Sequence, residues 1–134
     1  MKAYLLDTNI CIYILNQRPQ SVFGRFKEVD INEVYFSSLV LAELHFGVQK
    51  SRRIEHNLST LKAFVSPFEF LQFDEPSARC FGEIEHELQK SGELIGPMDL
   101  LIASQAKAHG LTLVTNNEKE FERIEGLNIE NWVL

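Results

Sequence analysis

The chain has 134 residues, 45% of them hydrophobic and ten of them Phe. That is the size of one domain (1–134), with enough apolar material for a core, and it excludes a disordered chain. Cys11 and Cys80 lie far apart with no CxxC or Cys/His spacing, which excludes a disulfide scaffold and a zinc knuckle. The net charge of −6 is uneven: residues 1–66 carry eight Lys/Arg against six Asp/Glu, and residues 67–134 carry five against thirteen. Such a chain has no overall attraction for phosphate, so it would handle nucleic acid through a local basic patch or a bound cation.

In chain order, Lys2–Leu6 reads as a short buried strand ending at Asp7, and Asn9–Leu15 as a helix that stops before Pro19. Val34–Phe36 is a second strand, and Ser37 or Ser38 caps a helix running to about Lys50. A further helix spans Arg52 to Phe64, stopped by Pro67, and Phe68–Phe73 is the third strand. Asp74 with Ser77 caps a helix that carries Pro76 in its first turn and closes near Gly92. After the Gly96-Pro97 break, Met98–His109 forms a helix with Gly110 at its C-terminal end. Leu111–Thr115 is the fourth strand, and Asn128–Val133 a short fifth. Alternating strands and helices predict an α/β domain with a mostly parallel sheet covered on both faces, whose chemistry sits at the carboxyl ends of the strands. No run approaches the roughly 18 apolar residues of a membrane span, and the opening segment has too short an apolar stretch for a signal core. We therefore expect a cytoplasmic protein.

Two polar triplets fall where strands end: Asp7-Thr8-Asn9 after the first and Thr115-Asn116-Asn117 after the fourth. Asp7 suits helix capping as well as chemistry. Glu43 lies within Leu39-Val40-Leu41-Ala42-Glu43-Leu44, a helix apolar almost all round, where a carboxylate is costly unless a cation or hydrogen bonds compensate. Gly96-Pro97-Met98-Asp99 delivers a third acid to a helix N-terminus, where the dipole favours its charge. Converging acids would repel one another unless a divalent cation neutralised them, and carboxylates with waters suit Mg²⁺ or Mn²⁺. Lys50, Arg52, Arg53 and Lys62 form a basic patch that is either a contact for phosphate or a solvated helix face.

Asp7-Thr8-Asn9, Glu43 in its apolar helix, Gly96-Pro97-Met98-Asp99 and Thr115-Asn116-Asn117 followed by Glu120-Phe121 resemble, in that order, the motifs of PIN-domain ribonucleases, specifically the VapC-type toxins of bacterial toxin–antitoxin pairs. The resemblance runs nearly end to end, including Trp132. It implies a three-layer α/β/α domain and a Mg²⁺-dependent endoribonuclease, with Mn²⁺ as a substitute. It further implies a homodimer inhibited by a VapB-type antitoxin, and within this branch initiator transfer RNA is one target. By match to the family's acidic positions, Asp7, Glu43 and Asp99 are the catalytic acids, with Asp7 and Asp99 the direct metal ligands. Many PIN domains carry a fourth acid in the slot held here by Asn117. Glu120 either replaces it by reaching back or is an exposed acid in the mixed-charge run Glu118-Lys119-Glu120-Phe121-Glu122-Arg123. Thr8, Asn9, Ser38, Thr115 and Asn117 are expected to orient carboxylates or waters.

An antitoxin segment is expected in the groove between residues 9–15 and 39–64, with Phe23, Phe26 and Phe46 serving either as its apolar wall or as core. Two other readings stay open: a phosphoacceptor signalling domain, which wants an acid pair after the first strand and a Lys after the last, and a catalytically idle acidic module. No zinc-protease, P-loop, dinucleotide or nucleophile-elbow motif occurs.

Overall fold

Short apolar runs, each followed by a polar junction and an amphipathic helix, build a sheet that must be shielded on both faces. The computed structural model describes residues 2–134. Its strands are β1 (Tyr4–Leu6), β2 (Val34–Ser37), β3 (Glu69–Leu71), β4 (Thr112–Val114) and β5 (Ile129–Glu130). The helices are α1 (Thr8–Leu15), α2 (Gln20–Glu28), α3 (Ser38–Lys50), α4 (Ile54–Val65), α5 (Glu75–Ser91), α6 (Pro97–Ala108) and α7 (Glu118–Phe121). The sheet order is β3-β2-β1-β4-β5 with every pair parallel, and the helices flank it in a three-layer α/β/α sandwich. β1 and β4 are buried throughout, as strands covered on both faces must be, while β3 and β5 are partly exposed edges.

The caps explain the boundaries. Asp7 accepts the Ile10 N–H at the start of α1, and Ser37, not Ser38, caps α3 by accepting from Leu39. Asp74 takes both the N–H and the hydroxyl of Ser77 at the start of α5, which ends on Gly92 in the left-handed conformation at φ 72°. The expected strands and helices are present, mostly trimmed by one to three residues at their ends. Two helices escaped sequence reading. α2 contains Gly24 and buries only Val22 completely, so its apolar stripe is too thin to see; α7 is a single turn of mostly charged residues.

Around β2 and β3 the phenylalanines Phe26, Phe36, Phe64, Phe68 and Phe70 pack ring against ring, with centroids 5.5–6.3 Å apart. Phe23 and Phe26 thus belong to the core margin, whereas Phe46 is 64% exposed. Inside α6, Gln105 is fully buried; its Oε1 accepts from the Ser37 hydroxyl at 2.5 Å, and its Nε2 donates to the Leu71 carbonyl at 3.2 Å. One amide therefore ties the ends of β2 and β3 to α6. Among the described residues no helix is long and apolar enough to cross a membrane.

Candidate active site at the carboxyl edge of the sheet

After β1 the chain builds β2 and β3 to one side, then returns to build β4 and β5 on the other. The strand order therefore reverses between β1 and β4, and parallel α/β sheets open a crevice at that point. Asp7 leaves β1 and Thr115 leaves β4 at this crevice, and the two meet: the Thr115 hydroxyl donates to Asp7 Oδ2 at 2.5 Å while Asp7 Oδ1 takes the Ile10 N–H at 3.1 Å. Asp7 thus caps α1 and faces the site at once, so its two sequence readings describe one arrangement. The Asn117 N–H donates back to the Thr115 hydroxyl oxygen at 3.0 Å, which fixes the loop after β4.

Glu43, on α3, is half-buried, and its Oε1 accepts the Thr8 hydroxyl at 2.5 Å, while Oε2 takes no hydrogen bond among the described residues. Asp99 occupies the first turn of α6. Glu120 reaches back from α7: Oε1 accepts the Gly96 N–H at 3.3 Å, Oε2 accepts Asn117 Nδ2 at 2.7 Å, and its carboxylate also meets Asp99. The amide at the family's fourth-acid slot therefore orients an acid one helical turn onward. Ser38 turns elsewhere, bonding the Leu71 carbonyl and Gln72, and Asn9 is exposed in the first turn of α1. A contact sequence reading missed is Asn116 Nδ2 donating to the Tyr13 hydroxyl at 3.0 Å, which ties the β4 loop to α1. Only the polar triplet at residues 115–117 hinted at it.

The electrostatics are one-sided. Burial raises the Asp7 carboxyl above its usual range and Glu43 adds to the rise, against the pull of Thr115 and Ile10. Burial, then the hydrogen bond and charge of Glu120, then Asp7 and Glu43, push Asp99 up to about 7. None of the ion pairs among the described residues includes Asp7, Glu43, Asp99 or Glu120. Hard oxygen donors held together without a cation suit Mg²⁺ or Mn²⁺. No three His, Cys, Asp or Glu side chains among the described residues are grouped closely enough to enclose an ion by themselves.

Beside the acids runs a groove of about 470 Å³ between α1 and the α3–α4 pair, lined by Ile12, Leu44, Val48, Leu61 and, at its rim, Glu43.

The PIN domain profile matches residues 4–127. The chain is 48% identical over 133 residues to Ribonuclease VapC2 of Rickettsia felis, covering 96% of this chain and 97% of that one. It is 42% identical over 132 residues to the tRNA(fMet)-specific endonuclease VapC of Shigella flexneri, covering 98% and 99%. In a crystal structure of VapBC2 from Rickettsia felis bound to a DNA fragment from their promoter, one chain superposes with a TM-score of 0.90 at 46% identity, covering 97% of this chain and 98% of that one.

Proposed function

This chain belongs to the PIN-domain family, among its VapC ribonucleases, and from that premise we propose that it is a toxin that hydrolyses RNA phosphodiester bonds with Mg²⁺, Mn²⁺ serving as substitute. The observation that supports the metal reading is geometric: Asp7, Glu43 and Glu120 are held at this edge by hydroxyl, amide and N–H donors, and neither they nor Asp99 enter an ion pair among the described residues. Asp7 and Asp99 would hold the ion; Glu43 and Glu120 would hold water or a second ion. When bound, the ion lowers the pKa of the attacking water and offsets charge growing on the phosphate.

The chain's own groups do the rest. Thr115 and the Ile10 N–H hold the two oxygens of Asp7, one bond to each, and so fix its carboxylate at the crevice. The Thr8 hydroxyl pins Glu43 Oε1, which leaves Oε2 to orient the attacking water. Asn117 and Gly96 hold Glu120 against Asp99, so that side of the pocket keeps its charge although the fourth-acid slot is an amide. None of these roles needs a nucleophilic side chain, and among the described residues no Lys pairs with these acids as a phosphoacceptor domain would want.

The tRNA(fMet) specificity named for the Shigella flexneri relative makes initiator transfer RNA the first substrate to try. The VapBC structures supply the partner class, an antitoxin chain. The groove between α1 and α3–α4 would take an apolar antitoxin segment, with an Arg or Lys reaching the acids at its rim. An RNA target, together with the buried, unpaired thiols Cys11 and Cys80, agrees with a cytoplasmic setting. The test is cleavage of an initiator transfer RNA transcript with Mg²⁺, with Mn²⁺ and with chelator, by the chain alone and by the chain co-purified with its antitoxin. Cleavage that persists under chelator sinks the metal reading; absence of cleavage under every condition sinks the ribonuclease reading.

A further inference from the structure

The α3 face that presents Glu43 carries a second feature. Phe46 is 64% exposed, and among the described residues it packs ring against ring with no other aromatic. The Lys50 ammonium lies over its ring, 4.4 Å from the centroid. Glu43, Phe46 and Lys50 stand at positions i, i+3 and i+7, so they form one stripe along the helix. Phe46 lies about 4.5 Å, and Lys50 about 10.5 Å, further along the axis than Glu43. Helical side chains lean toward the N-terminus, which tilts the ring back toward the acidic pocket. Arg52 and Arg53 follow at once, both exposed, and Lys62 is exposed on α4, so this corner gathers the densest cation run of a chain whose net charge is −6.

An exposed aromatic ring with an ammonium on it, beside clustered guanidinium groups, fits one ligand chemistry well: a nucleobase for the ring and phosphates for the cations. An apolar peptide fits worse. The apolar groove follows the neighbouring face of α3 through Glu43, Leu44, Gly47 and Val48, and Phe46 does not line it.

We propose, resting on the ribonuclease reading, that Phe46 and Lys50 form a subsite for one unpaired nucleotide of the RNA, the base stacking on the Phe46 ring and the adjoining phosphate meeting Lys50, so that the scissile bond is presented to the acids one helical turn away. A paired base inside an A-form stack has both faces covered by its neighbours and cannot lie on the ring. The subsite therefore selects loops and single strands over duplex RNA, a preference the acidic pocket alone has no means to impose.

The test has a binding arm and a kinetic arm. A single-stranded oligoribonucleotide carrying one 2-aminopurine is titrated into the chain in an Asp7→Asn background, with Phe46 native or changed to Ala, Tyr or Trp. Stacking predicts fluorescence quenching that Phe46→Ala abolishes, with affinity weakened about fivefold or more, and that Tyr or Trp restores. Lys50→Gln should lower the slope of log affinity against log salt by about 0.7, the share of one phosphate contact on a single strand. On an otherwise native chain, Phe46→Ala should raise KM for a transfer RNA transcript by a similar factor while kcat stays within about twofold. Equal quenching and equal KM in Phe46→Ala overturn the subsite while leaving the ribonuclease reading intact. Should the native chain cleave no RNA yet keep Phe46-dependent quenching, the ribonuclease reading fails alone. If Phe46→Ala instead releases the antitoxin and leaves RNA binding unchanged, the ring belongs to the protein partner and the proposal is overturned.

Discussion

Carboxylates at the edge of this sheet and at its centre live under opposite rules. Glu130, on the edge strand β5, is clasped by Lys2 at 2.6 Å, Arg25 at 3.1 Å and the Trp132 indole N–H at 2.9 Å. Against the opposing effect of burial, those partners bring its carboxyl below the usual range. At the centre, Asp7, Glu43, Asp99 and Glu120 converge with hydroxyl, amide and N–H donors but no cation, and Asp99 is lifted to about 7. The edge acid is neutralised from within the chain. The central acids keep unmet demand for positive charge, which is how a protein holds a place for an ion or a basic partner group.

The sharpest way to break this contrast is Asp7→Asn or Asp99→Asn. Each keeps size and removes one charge of the pair proposed to hold the ion, so RNA cleavage should fall about a hundredfold or more while the fold survives. Cleavage assays read beside circular dichroism check it, and native rates with an intact fold would remove that residue from the site.

Next in size is Glu120. Glu120→Gln should slow cleavage about tenfold, equivalent to about 1.4 kcal/mol of transition-state stabilisation, and weaken Mg²⁺ binding. Asn117→Asp restores a carboxylate to the neighbouring slot and should partly rescue it. Metal titration of native, both single variants and the double gives the coupling between positions that already touch at 2.7 Å.

The two regions should also tilt stability with pH in opposite directions. In chelator, the folded-state value of about 7 for Asp99 lies above its ordinary 3.8, so its contribution is fully present below about pH 3.8 and is lost as pH rises toward and through 7. Tm should fall across that window by a few degrees, Asp99→Asn should flatten the fall, and Mg²⁺ should raise Tm more at pH 8 than at pH 5. Glu130 behaves in reverse. Its stabilisation is present above the unfolded carboxyl value and disappears as pH drops through the lowered folded one.

Smallest of all is Glu130→Gln. Lys2 and Arg25 are both well exposed, so the pairs are screened and Tm should drop by only a degree or two, less at high salt. The cleavage rate should not change. A large loss of activity in Glu130→Gln would mean that the edge network positions the site and that the contrast drawn above is false.

Much of this was open to sequence reading because it rests on local rules. Asp74 and Ser77 three residues apart announce a capped helix, Gly92 and Gly110 mark helix ends, and Glu43 among apolar neighbours announces an acid with a purpose. Ring orientation was not legible: Phe23, Phe26 and Phe46 were each open to use as groove wall or as core, yet two pack toward the core and the third faces solvent. Nor was the role of Gln105, since a buried amide is silent until the strand ends it bridges are known.

Periodicity, caps and turn residues act over three to seven positions, and from them the sequence by itself determined the alternation of strands and helices, the parallel sheet, and which acids sit where strands end or helices begin. Only the tertiary structure decided that Thr115 meets Asp7 across 108 residues of chain, and that Glu120 turns inward onto Asn117 and Gly96 instead of outward into water. It alone decided that Phe46 shares the stripe of Glu43 as an open ring. The reason is that a side chain's direction, unlike its helix or strand, is settled by what the rest of the fold leaves vacant beside it.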